Sequence, residues 1–249
     1  MEKEILIAVV QGITEFFPIS SSAHIALLEH LFGLFKPSLV REVVLHLATL
    51  LAILLFLRRR IWQLLQAWIK GEKLNYLLGL VVGSIPAAFF GLIFKDTVEQ
   101  AFGSVRAIGL FMIINSLILL VSREGKEKEG ELNWGKALLI GVAQALALFP
   151  GISRSGATIT AGLLLGLRKE DAFDFSFLLA IPAILGASLL ELKEMGAESF
   201  QPYVLPFLVA FIAGYIALLL LRRIVKKQKF YLFAPYVIII GAIAFFAGG

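Results

Sequence analysis

Two short stretches hold most of the polar chemistry of this sequence. The first, QGITEFFPISSSAH over residues 11–24, gathers an amide (Gln11), a carboxylate (Glu15), three hydroxyls (Ser20, Ser21, Ser22) and an imidazole (His24). Gln11 and Glu15 are four apart and share a face on a helix, as do Ser20 and Ser21 with His24. A carboxylate, a hydroxyl and an imidazole brought together make a set of acid, base and nucleophile. Glu15, with Gln11 as a neutral oxygen donor, is equally suited to a divalent metal such as Mg2+ or Ca2+, which take oxygen ligands. The second stretch, LFPGISRSGAT over residues 148–158, sets Arg154 among Gly151, Ser153, Ser155, Gly156 and Thr158. If a helical arm begins after the proline, its N–H groups and dipole favour an anion. The guanidinium fork matches phosphate oxygens, so this loop reads as a phosphate or pyrophosphate cradle. The alternative is a structural arginine paired with a buried carboxylate such as Asp171, Asp174 or Glu191.

The elements that must position these groups are set by the solvent. Of the residues, 59% are hydrophobic and only 16% charged, with a mean hydropathy of +0.89; soluble domains carry about 25% charge. The sequence is that of an all-α integral membrane protein. The net charge of +5 gathers at the ends of apolar runs, where cytoplasmic loops hold it, so no nucleic-acid partner is expected. There is no cysteine, which removes disulfides and thiolate chemistry. The acidic start and brief first apolar run are unlike a cleavable signal, so the first segment is expected to remain in the mature protein.

Six stretches are long and apolar enough to cross a bilayer: residues 39–57, 74–94, 104–121, 172–190, 203–221 and 230–247. Residues 4–34 and 134–167 are apolar but broken by Pro, Gly and Ser into arms too short to span. Each is predicted to be a re-entrant helix-loop-helix hairpin, because irregular backbone at membrane depth survives only inside protein or beside a water-filled cavity. Residues 58–73, 122–136 and 222–229 hold five, four and five Lys and Arg, and are predicted to be cytoplasmic. Both termini then lie outside, and the hairpins enter from opposite faces.

The broken segments resemble each other: Gln, an apolar arm, Phe-Pro, Ile-Ser-x-Ser, then a second arm. Each precedes three spans. This predicts an inverted-topology repeat in one membrane domain: repeat one at 1–121, a cytoplasmic loop at 122–133 and repeat two at 134–249, with a polar site near the midplane. That architecture also suits a transporter or flippase for a lipid carrier or small molecule. A homodimer is left open.

With these residues in view, the chain resembles the undecaprenyl-pyrophosphate phosphatase family, also called bacitracin-resistance proteins. The resemblance rests on the (E/Q)-x-x-x-E element at Gln11 to Glu15 and P-G-x-S-R-S-x-x-T at Pro150 to Thr158, and covers essentially the whole chain. It implies an enzyme of the plasma membrane of bacteria, with undecaprenyl pyrophosphate and membrane lipid as partners. The family's essential positions match Glu15, Ser21, His24, Ser153, Arg154 and Thr158. Gln11 replaces a glutamate common there, which leaves one carboxylate for any metal. Ser21 is the expected nucleophile, with attack by His24 or by water as alternatives. Arg154, the Gly151 to Gly156 backbone, Ser153, Ser155 and Thr158 are expected to hold the diphosphate, with Ser20 capping or binding.

Overall fold

The computed structural model describes residues 1–33, 38–72, 74–125, 131–194 and 200–248. Leu34, the expected end of the first hairpin, lies outside them, as do Lys73, Lys126, Lys128 and Gly249. All regular structure among the described residues is helical. In chain order the α-helices are α1 (Glu2–Thr14), α2 (Ser21–Phe32), α3 (Leu39–Phe56), α4 (Arg58–Ile69), α5 (Leu74–Ile93), α6 (Lys95–Phe102), α7 (Val105–Val121), α8 (Trp134–Leu146), α9 (Arg154–Leu164), α10 (Lys169–Glu194), α11 (Val204–Lys226) and α12 (Ala234–Ala247).

Five of these helices, with short 3-10 turns leading into α11 and α12, are long and apolar enough to cross a membrane: α3, α5, α10, α11 and α12. The 17-residue α7 makes a sixth when joined to α6, from which it bends by 103°. Their outward faces fit lipid rather than water. Along α5, Val81, Ile85, Phe89 and Leu92 are all exposed, an apolar surface that would drive aggregation in a soluble protein.

The arms α1, α2, α8 and α9 hold 13, 12, 13 and 11 residues. At 1.5 Å per residue each is under about 20 Å, short of a hydrocarbon core of about 30 Å. Both arm pairs break at a Phe-Pro, and a serine restarts each second arm. Ser20 Oγ accepts from Ala23 N at 3.4 Å and Ser153 Oγ from Gly156 N at 3.2 Å, the capping bonds that satisfy first-turn donors.

Two connections between the expected spans carry helices. Residues 58–73 contain α4, which buries Leu64 and Ala67 and turns Trp62, Trp68 and Ile69 outward. Residues 95–103 contain α6. Clustered charge marks where the chain meets water, and a wet segment is free to be helical when one face is apolar.

Helices from the two halves pack on one another. α1 lies against α11, α8 against α5, α7 against α12, and α3 against both α10 and α11. Glycine lets backbones touch at three crossings. A Cβ at Gly12 would lie 2.6 Å from Ala210 O, one at Gly141 2.2 Å from Gly83 O, and one at Gly109 2.6 Å from Gly241 O. At the centre, Phe16, Phe173 and Phe177 are fully buried and in ring contact, with Phe16 and Phe177 edge to face at 5.7 Å.

Candidate active site

The tips of the two hairpins meet, and their polar groups join into one network. The α1 helix ends at Thr14, so Glu15 leads into the first tip with its carboxylate between the hairpins. Glu15 Oε2 accepts from Ser21 Oγ at 2.5 Å and from Gln11 Nε2 at 3.2 Å, while Oε1 accepts from Arg154 Nη2 at 2.5 Å. The buried arginine therefore has a partner, though not Asp171, Asp174 or Glu191. Those three sit beside Arg60, Arg168, Arg222 and His46. Arg154 and Glu15 are 16% and 9% exposed, so the pair is largely desolvated. Removing one partner of such a pair typically costs about 3–5 kcal/mol, because the other charge is left uncompensated.

The remaining groups of the second tip face the first hairpin. Ser155 Oγ donates to Phe16 O at 2.8 Å and pairs with Ser153 Oγ at 3.1 Å. Thr158 Oγ1 donates to Arg154 O at 2.7 Å and meets Ser176 Oγ at 2.6 Å. Gly151 has φ 116, open to glycine at little cost, and a Cβ there would lie 2.7 Å from Ile108 O on α7. A Cβ at Gly156 would meet Asn115 Oδ1 at 3.1 Å and Pro18 Cβ at 3.4 Å. These glycines and hydroxyls seat the second tip against protein, and Arg154 reaches across to the carboxylate of Glu15.

Ser20 joins the tips from the other side. Its backbone is left-handed in φ (φ 68, ψ 100), a conformation a non-glycine residue holds only when its surroundings enforce it. The surroundings here are specific: Ser20 Oγ accepts from Gly151 N at 3.1 Å as well as from Ala23 N, and lies 3.2 Å from Ser22 Oγ. His24 is near but turned aside. Its Nδ1 is 2.7 Å from Ser20 O and its Nε2 2.7 Å from the Tyr236 hydroxyl, so neither nitrogen is on Ser21 or Glu15.

Around the pair expected to hold a divalent metal, the protein's own donors occupy the carboxylate. Gln11 presents its amide nitrogen to Glu15, both Glu15 oxygens already accept from donors, and among the described residues no three His, Asp or Glu side chains converge.

Residues 4–243 match the family model described as bacitracin resistance protein BacA. The chain belongs to the BacA family. Relatives named undecaprenyl-diphosphatase align along nearly their whole length. The one from Thermosipho melanesiensis is 40% identical over 99% of both chains, and that from Thermotoga maritima 38% identical over 98% of this chain and 100% of its own. A third, from Methanococcus maripaludis, is 37% identical over 94% of this chain and 95% of its own.

Two site residues of this BacA-family chain escape its signature motifs. Fully buried Asn115 on α7 bridges the tips, donating from Nδ2 to Pro18 O at 3.0 Å and accepting from Ser153 N at 3.2 Å on Oδ1. An amide inside the apolar run LFMIINSLILL was the available signal, since such groups in membrane helices are costly unless paired. Tyr236 had none, because a tyrosine near a helix end reads as an interfacial anchor.

Proposed function

We propose that this protein hydrolyses undecaprenyl pyrophosphate to undecaprenyl phosphate and inorganic phosphate, regenerating the carrier for cell-wall polymers and conferring bacitracin resistance. The observation that carries the chemistry is the continuous chain Ser21–Glu15–Arg154, a hydroxyl, a carboxylate and a guanidinium in direct hydrogen-bond contact. Phosphoryl transfer needs mostly positioning and neutralisation of charge on the transferred oxygens. Arg154 takes up the diphosphate oxygens as the substrate enters. Ser21 Oγ attacks the terminal phosphorus while Glu15, already 2.5 Å from it, accepts the proton. The bond from that phosphorus to the bridging oxygen breaks and undecaprenyl phosphate departs. Water then attacks the phosphoserine phosphorus and gives its proton to a base, the bond from phosphorus to Ser21 Oγ breaks, Oγ takes back the proton held by Glu15, and inorganic phosphate departs. We assign the base of this second step to His24, the remaining titratable group of residues 11–24, whose Nε2 meets the Tyr236 hydroxyl and not Ser21.

The same reading includes the finer membrane arrangement: six spans, two re-entrant hairpins and an inverted repeat in the plasma membrane, both termini outside. Exchanging the two halves maps the α1 and α11 contact onto that of α8 with α5, and the α7 and α12 contact onto itself, as such a repeat requires. Cysteines placed at 126 and 193 of this cysteine-free chain are expected to label from opposite sides; labelling from one side would remove the inverted repeat.

Purified protein in detergent is expected to release phosphate from a prenyl diphosphate. Binding or moving the lipid without phosphate release would instead support the transport reading, which the diphosphatase names of the relatives do not favour.

A further inference from the structure

His24 is held by a residue from the far end of the chain. Its Nδ1 lies 2.7 Å from Ser20 O, and a carbonyl only accepts, so Nδ1 carries the proton. In the neutral ring Nε2 is then a bare lone pair, and the Tyr236 hydroxyl 2.7 Å away must donate to it. The two rings are also stacked, 8° from parallel with centroids 5.7 Å apart. In the 3-10 turn that leads into α12, Phe233 packs on Phe17 at 5.2 Å. Thus α12 and the turn that leads into it grip the first hairpin at two points, and one of them is the imidazole nitrogen Nε2. Tyr236 is 44% exposed, so this grip lies at an open seam between hairpin and helix, not in the sealed core.

We propose that Tyr236 is the positioning residue for His24. Ring stacking fixes the imidazole plane, and the hydroxyl holds the Nε2 lone pair directed out of the hairpin until the attacking water takes that place. The proposal presupposes the two-step phosphatase reading above, in which Glu15 serves the first proton transfer and His24 the second. Tyr236 therefore governs release of phosphate from Ser21, not its capture.

Two measurements test this. The first is steady-state and single-turnover kinetics of Tyr236→Phe, which keeps the stack and removes the donor. Slowing only the second step lowers kcat by about tenfold and KM with it, leaves kcat/KM unchanged, and produces a burst of undecaprenyl phosphate with phosphate held on Ser21. In a His24→Ala background the same substitution has no further effect. A parent-like kcat, a fall in kcat/KM, or an undiminished loss in the His24→Ala background would each overturn the proposal. The second is 15N NMR of histidine-labelled protein, whose three histidines are assigned with His30→Gln and His46→Gln. It expects His24 protonated on Nδ1, with an Nε2 resonance that moves on Tyr236→Phe. A proton on Nε2 in the parent would overturn the proposal whether or not the variants fold well. Absence of phosphate release by the parent would instead strike the phosphatase reading and leave the NMR result standing.

Discussion

The first hairpin and the second share a plan yet use their polar groups in opposite directions. In the first, Glu15, Ser21 and His24 remain partly accessible; in the second, Ser153, Ser155 and Thr158 are buried, with their hydroxyls on protein partners. Even the matching glutamines differ. Gln11 bonds to Glu15, while neither amide atom of buried Gln144 has a hydrogen-bond partner among the described residues. The comparison teaches that a serine-rich loop beside an arginine also builds the contact between two tips. The second tip is clamped on the first and brings one guanidinium onto Glu15, and on the proposed mechanism the reacting groups come from the first.

The largest test of this division is on the reacting side. Ser21→Ala is expected to lose roughly 10³-fold or more in turnover while Ser22→Ala loses far less, and quenched parent reactions should contain phosphate on Ser21. Retention of more than about a tenth of the rate, a loss under roughly 1.4 kcal/mol, would move the nucleophile elsewhere. Next comes the guanidinium itself: Arg154→Lys keeps the charge but not the fork, and turnover should fall by roughly 10² in protein that still folds. A smaller effect of another kind is expected at the clamp. Ser155→Ala leaves the Phe16 carbonyl unpaired, so thermal unfolding should show a loss of about 1–3 kcal/mol with kcat and KM nearly unchanged. A large rise in KM there would restore Ser155 to the substrate. Smallest of all is Gln144→Met, which removes an unsatisfied buried amide and should leave activity intact and stability equal or higher. Loss of activity in that variant would show that the second glutamine has a partner in turnover.

Much of the scaffold was legible because membrane insertion imposes simple rules. Apolar runs of spanning length became α3, α5, α7, α10, α11 and α12, and the two Phe-Pro breaks fell where the short arms part. The charged connections were legible as wet, not as the helices α4 and α6, since hydropathy reports the solvent and amphipathic periodicity is weak over so few residues. At the site, residue types near a break were readable, but their pairings across halves were not. Asp171 and Asp174 were reasonable partners for Arg154 by proximity in sequence, yet they face the arginines of α4 and α11, Arg60 and Arg222. Which carboxylate meets Arg154 depends on how the two tips interlock, a property of tertiary packing with no local periodicity to announce it.

The bond between Glu15 and Arg154 makes the resting site its own competitor. An arriving anion has to draw the guanidinium away from a carboxylate that already neutralises it, and only a ligand rich in negative charge does so with a net gain. A diphosphate meets that condition better than the monophosphate left after cleavage. If the internal pair closes again as charge leaves with the products, the lipid monophosphate is expected to compete only weakly with fresh substrate, which inhibition kinetics would register directly. On the phosphatase reading, product release is thus expected to follow the closing of the protein's own salt bridge.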